Sequence, residues 1–187
     1  MAAGGSQRRE WVLATLDRYQ APLTRYALRL VGDEDGARDA VQHAFLQLCS
    51  QSPDALDQRV APWLFAVCRH KAMDLVRQRR RASSLEDREH PAFTSREPDP
   101  AMVAERHDLY ARLSQAVAQL PPGQREAIDL WVEGFGYREI AQIIRQTEGN
   151  VRVLVHRGLK SLRQHPLARE LLGVAAAGEP GPCRSGP

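Results

Sequence analysis

Four basic side chains, Arg152, His156, Lys160 and Arg163, follow one another at spacings of four and three in the C-terminal part of this sequence. On a helix of 3.6 residues per turn they share one side, while Val151, Val155, Gly158, Leu159 and Leu162 share the other. A helix with one packing face and one cationic face can lie along a major groove. It then offers cations to phosphates and its first turn to base edges. A second basic group, Arg77, Arg79, Arg80 and Arg81, closes an earlier apolar stretch. Cations at that end also suit the negative pole of a helix, so charge alone does not assign them to a ligand.

The elements that must position these residues are legible from periodicity. Tyr137 to Ile144 is a short amphipathic stretch with Ile140, Ala141 and Ile144 on one face, and Thr147 opens the basic helix after a three-residue break. That is the outline of a helix-turn-helix. Leu120-Pro-Pro-Gly starts a helix ahead of it, with proline in the first turn. Nearer the N-terminus, a helix is predicted from about Gln7 to Val31 on the stripe Val12, Leu16, Tyr19, Leu23, Tyr26 and Leu30. Pro22 lies inside it and predicts a bend or division near Tyr19 to Ala21. The acidic turn Gly32 to Gly36 supplies N-cap and first-turn residues for a helix to about Ser50. It lacks the further oxygen ligands of a calcium loop. After a loop from Gln51 to Val60, a helix beginning near Pro62 turns Leu64, Val67, Cys68, Ala72 and Leu75 inward and leaves Arg69, His70, Asp74 and Arg77 outward.

Three such helices can share one core. Residues 83–100, with Pro91, Pro98 and Pro100 among mixed charges, break all periodicity and read as a linker. A helix from Ala101 to Leu120 is then expected to turn Val103, Leu109, Leu113, Val117 and Leu120 toward a second core, and the Gly/Ala/Pro-rich tail 173–187 is expected to be disordered. The predicted class is all-α, with two small helical domains at 8–82 and 101–166 joined by a flexible linker. Extended, about twenty residues reach at most roughly 65 to 70 Å, about two turns of DNA.

Composition narrows the function classes. The 187 residues are 43% hydrophobic but only 6% aromatic, which suits aliphatic helical bundles. A net charge of +3 is mild, so nucleic-acid binding must rest on where the cations cluster. Cys49, Cys68 and Cys183 are too few and scattered for a disulfide framework, and no charged-then-apolar leader opens the chain, so a cytoplasmic location is expected. No apolar run approaches the roughly 18 to 20 residues that cross a bilayer, so membrane insertion is not expected. His43, Cys49, Cys68 and His70 match no common zinc spacing, and no metal or other cofactor is expected. No phosphate-binding glycine loop, paired-histidine metal motif or nucleophile-with-base arrangement is visible, so no catalytic residue is assigned and an enzyme is not expected.

The string LPPGQREAIDLWVEGFGYREIAQIIRQTEGNVRVLVHRGLKSLR resembles region 4 of the sigma-70 family of bacterial RNA polymerase specificity subunits. Residues 37–48 and 61–81 resemble region 2 of the same family, and the absence of a region 3 points to the extracytoplasmic function subgroup. The resemblance implies a factor that joins core RNA polymerase and directs initiation at promoter DNA. It implies that Asp39, Gln42, His43 and Phe45 meet the polymerase. Phe45 also shares a stripe with Val41 and Leu48, so its ring either meets that partner or fills the core. His70, Lys71, Asp74, Arg77, Arg80 and Arg81 correspond to the surface that captures the −10 element. Arg152, His156, Arg157 and Lys160 would hold the −35 element by its phosphates, while Glu148, Asn150 and Val153 reach bases. An anti-sigma partner is expected only from the subgroup.

The sequence departs from the family pattern at His43, Cys49 and His70, at Arg145 where glycine is usual, and at Val153, Leu154 and Leu159. The groove face is thus less polar than the family's. Two alternatives fit part of the pattern: a helix-turn-helix regulator acting without polymerase, which leaves residues 37–81 unexplained, and a sigma-like adaptor that does not melt promoters.

Overall fold

The computed structural model describes residues 3–56, 59–82, 112 and 114–166, and its described secondary structure is helical. Helix α1 spans Ala3–Val31, α2 Glu34–Cys49, α3 Pro53–Leu56 and α4 Val60–Ala82. Residues 114–118 are helical, followed by α5 over Pro122–Val132, α6 over Tyr137–Ile144 and α7 over Glu148–Gln164. The linker 83–100, the residues Val103, Leu109 and Leu113, and the tail 173–187 lie outside the described residues.

Contacts divide the chain into a first unit, Met1–Arg96 with Asp129–Val151, and a second, Glu97–Ile128 with Arg152–Pro187. In the first unit α1, α2 and α4 pack together around Leu23, Tyr26, Ala40, Ala44, Leu48, Leu64, Phe65, Cys68 and Ala72. Alanine at 40, 44 and 72 lets the helix axes approach, and the larger side chains fill the rest. Burial pushes the Cys68 thiol up to about 12, as expected of a thiolate with no water to solvate it.

Helix α1 is not divided at Pro22. The ring removes the N–H that would meet the Arg18 carbonyl and crowds that carbonyl, while the buried Leu23, Tyr26 and Ala27 anchor the turns that follow in the bundle. Phe45 is 8% exposed and belongs to the core, so the sequence-based alternative that it fills the bundle is the one observed. Val41, four residues before it, and Leu48, three after, are buried with it.

Asp33 does two jobs at the α1–α2 turn. It is the N-cap of α2, accepting from the Gly36 N–H at 2.9 Å, and it also pairs through both carboxylate oxygens with the Arg79 guanidinium near the end of α4. Gly36 makes this possible, since a Cβ there would stand 2.5 Å from Val31 Cγ1 and 2.8 Å from Arg79 Nη2.

The segment Asp129–Val151 is held to the same unit by α4–α6 packing and by an aromatic run. Phe65 stands 5.3 Å from Tyr26 and 4.8 Å edge-on from Phe135, both within the range where ring quadrupoles attract. Beside it Arg29 Nε lies 2.9 Å from Asp129 Oδ2, and Arg25 Nη2 lies 3.3 Å from Glu133 Oε1. The Arg29 Nε–H is aimed off the line to its carboxylate, so this is an ion pair rather than a directed hydrogen bond.

Candidate nucleic-acid interface

Helix α6 starts where Glu139 turns back to accept from the Gly136 N–H at 2.8 Å. It ends at Arg145, whose backbone is left-handed at φ 55°, ψ 51°, and whose N–H returns to the Ala141 carbonyl. The Gln146 N–H reaches the same carbonyl at 3.0 Å, closing the turn as a Schellman-type stop. Thr147 then caps α7 by accepting from the Asn150 N–H at 3.2 Å. The two helices are thus separated by Arg145, Gln146 and Thr147, and Thr147, expected to open the second helix, is its cap.

Burial on α7 follows the predicted faces. Val151, Val155 and Gly158 are buried and Leu159 and Leu162 half-buried, while Glu148, Asn150, Arg152, Val153, His156, Arg157, Lys160 and Arg163 are exposed. The close approach at Gly158 leaves no room for a side chain: a Cβ there would overlap Ile128 Cδ1 and stand 3.2 Å from its Cγ1. One element thus presents five basic side chains outward, Arg152, His156, Arg157, Lys160 and Arg163.

On α4 the residues assigned to the −10 surface meet one another. Asp74 accepts from Arg77 Nη2 at 2.6 Å and lies 3.4 Å from His70 Nδ1. Lys71 Nζ stands 3.1 Å from Asp39 Oδ2 on α2, so a residue assigned to DNA is paired with one assigned to polymerase. Arg80 and Arg81 are exposed at the helix end, whereas Arg79 is committed to Asp33. That exchange raises the Arg79 affinity for its proton and lowers that of Asp33, the hydrogen bond between them being the largest cause of each.

Helix α2 turns Asp39 and Gln42 to solvent and leaves His43 half-buried. Leu46, which the sequence reading passed over, is 69% exposed on the same face, three and four residues beyond them. The signal was available as a leucine in phase with Gln42 and His43 rather than with Val41, Phe45 and Leu48. Gln146 was also missed. Its Oε1 accepts from Asn150 Nδ2 at 2.9 Å, a contact with no periodic signature because Gln146 lies in the break.

A helix-turn-helix with an outward basic second helix, accompanied by a bundle whose last helix ends in arginines, defines a DNA-binding protein of the helix-turn-helix class. Residues 15–82 match the model of sigma-70 region 2, and residues 110–162 match that of sigma-70 region 4. The ECF RNA polymerase sigma factor SigL of Mycobacterium tuberculosis is 31% identical over 167 residues, 86% of this chain and 90% of that protein. SigE of Mycolicibacterium smegmatis, also an ECF sigma factor, is 29% identical over 144 residues; the match spans 75% of this chain but 56% of that protein. Among solved structures, the sigma factor RpoE in complex with the anti-sigma factor NepR from Bartonella quintana superposes with a TM-score of 0.62 at 26% identity, over 89% of this chain and 96% of that one. The chain belongs to the extracytoplasmic function group of the sigma-70 family of RNA polymerase sigma factors.

Proposed function

We propose that this chain joins core RNA polymerase in the cytoplasm and selects promoters through two DNA-facing surfaces on domains 8–82 and 101–166, with 83–100 as the tether between them. The observation that carries this reading is the exposed basic face of α7 opposite a buried apolar one. In this scheme Asp39, Gln42 and His43, together with the protruding Leu46, form the polymerase-facing side of α2. A large exposed leucine among polar groups suits a partner helix. His70, Lys71, Asp74, Arg77, Arg80 and Arg81 serve the −10 element, and α7 serves the −35 element through Arg152, His156, Arg157 and Lys160.

Energetics assigns strand opening to the assembly. Unstacking costs about 1.4 kcal/mol per base-pair step, so opening several steps exceeds what one short basic helix supplies. The isolated chain accordingly binds duplex DNA without opening it, and its Asp39–Lys71 and Asp74–Arg77 pairs exchange partners on docking. No step of this scheme asks the chain for bond chemistry of its own. Because the similar RpoE was captured with an anti-sigma factor, a protein inhibitor is also proposed to control this chain.

Run-off transcription with core polymerase on a library of genomic fragments tests the reading. Discrete start sites that depend on the chain are expected. Transcription from no fragment, or a permanganate-reactive bubble made by the chain without polymerase, would overturn it.

A further inference from the structure

Resting on the reading that α7 enters a major groove, the first turn of that helix carries enough detail to name the bases it meets. Asn150 is exposed, and its Nδ2 donates to Gln146 Oε1 at 2.9 Å while its backbone N–H is tied to Thr147 Oγ1 at 3.2 Å. With one amide proton engaged, the side chain is held in one plane, and what it still offers is Oδ1 as acceptor and the second Nδ2 proton as donor. In the major groove adenine presents the matching pair, N7 as acceptor and N6 as donor. Guanine presents two acceptors, one of which would face Oδ1. Thymine and cytosine each present a single polar group there.

Val153 lies one turn on from Asn150 and is 43% exposed, an apolar side chain on a face otherwise made of Arg152, His156 and Arg157. An isopropyl group gains nothing from phosphate or from a polar base edge, but it packs on the C5 methyl of thymine. Three residues of helix rise about 4.5 Å, close to one base-pair step of about 3.4 Å, so the two side chains address neighbouring base pairs. We propose that Asn150 reads an adenine and Val153 the methyl group of a thymine on the adjacent base pair of the −35 element, with Gln146 as the positioning residue that holds the Asn150 amide.

The experiment selects transcribed sequences from a promoter library randomised in the −35 element, using holoenzyme reconstituted from core polymerase and the full chain. It is run for the wild type and for Asn150→Ala, Val153→Ala and Gln146→Ala. The wild type is expected to enrich an adenine next to an A·T pair. Asn150→Ala should lose preference for that adenine by about tenfold while keeping the thymine, and Val153→Ala should do the reverse. Gln146→Ala should relax the adenine preference alone, which a change in helix stability would not do. Replacing the selected thymine by uracil should weaken wild-type binding and leave Val153→Ala unmoved. If the variants transcribe but select the same sequence as the wild type, the base assignment is wrong while the sigma function stands. If the wild type transcribes nothing from the library, both fall together.

Discussion

Arg145 is the non-glycine residue with a positive φ among those described, and it ends α6 in the left-handed conformation that glycine adopts without strain. A side chain in the left-handed region costs about 1 to 2 kcal/mol, part of which glycine returns through its freer unfolded chain. Arg145→Gly is therefore expected to stabilise the protein by about 0.5 to 1 kcal/mol, measured by urea unfolding. Asp33 gives a second prediction at this scale. Its folded pKa lies below 3.8, held down first by the Arg79 hydrogen bond, so its contribution is complete above the unfolded carboxylate value and is lost as pH falls through the folded one. Asp33→Asn keeps an oxygen that can cap the helix, so it should cost only about 0.5 kcal/mol near neutrality through the lost ion pair, and the deficit should shrink in acid, below about pH 4, as the wild-type carboxylate protonates. A deficit that stays constant across the acid range would show the pair to be idle.

At the scale of elements, Gly158 decides how closely α7 approaches α5. Gly158→Ala should destabilise by about 1 to 3 kcal/mol, and Ile128→Val, which removes the methyl that would clash, should recover part of that in the double variant. Additive losses would mean that the helices part rather than overlap. Lys160→Ala leaves this packing alone, since its side chain points outward; it should lower the slope of log affinity against log salt by roughly one unit. The elements themselves were largely legible in the sequence: α2, α4, α6 and α7 follow apolar stripes of period 3.6, and the α6–α7 break is fixed by where those stripes stop. What periodicity did not give were contacts made by residues outside a stripe. Phe65 pairs with a ring seventy positions on, Arg79 finds Asp33 forty-six positions back, and Gln146 holds Asn150 from within a loop. The first two depend on tertiary placement, to which a local pattern is blind, and the third is local but falls in the break between two stripes.

For the molecule as a whole, the joining of Asp129–Val151 to the N-terminal helices has a measurable cost if undone. Phe65 is 1% exposed in the full chain, and Phe135 supplies one side of its surroundings. A polypeptide ending at residue 96 should melt at a lower temperature than the same helices do in the full chain, and amides of α4 should exchange faster in it. Equal protection would show that the ring contact and the Arg25 and Arg29 ion pairs contribute nothing. The sulfur of Cys68 offers a way to watch this bundle breathe. At neutral pH a thiol with a pKa near 12 is ionised at only roughly one part in a hundred thousand, and here it has no exposed surface. An alkylating reagent can reach it only through transient opening of α1, α2 and α4, so its labelling rate is a built-in clock for such openings, set against exposed Cys49 as the internal standard.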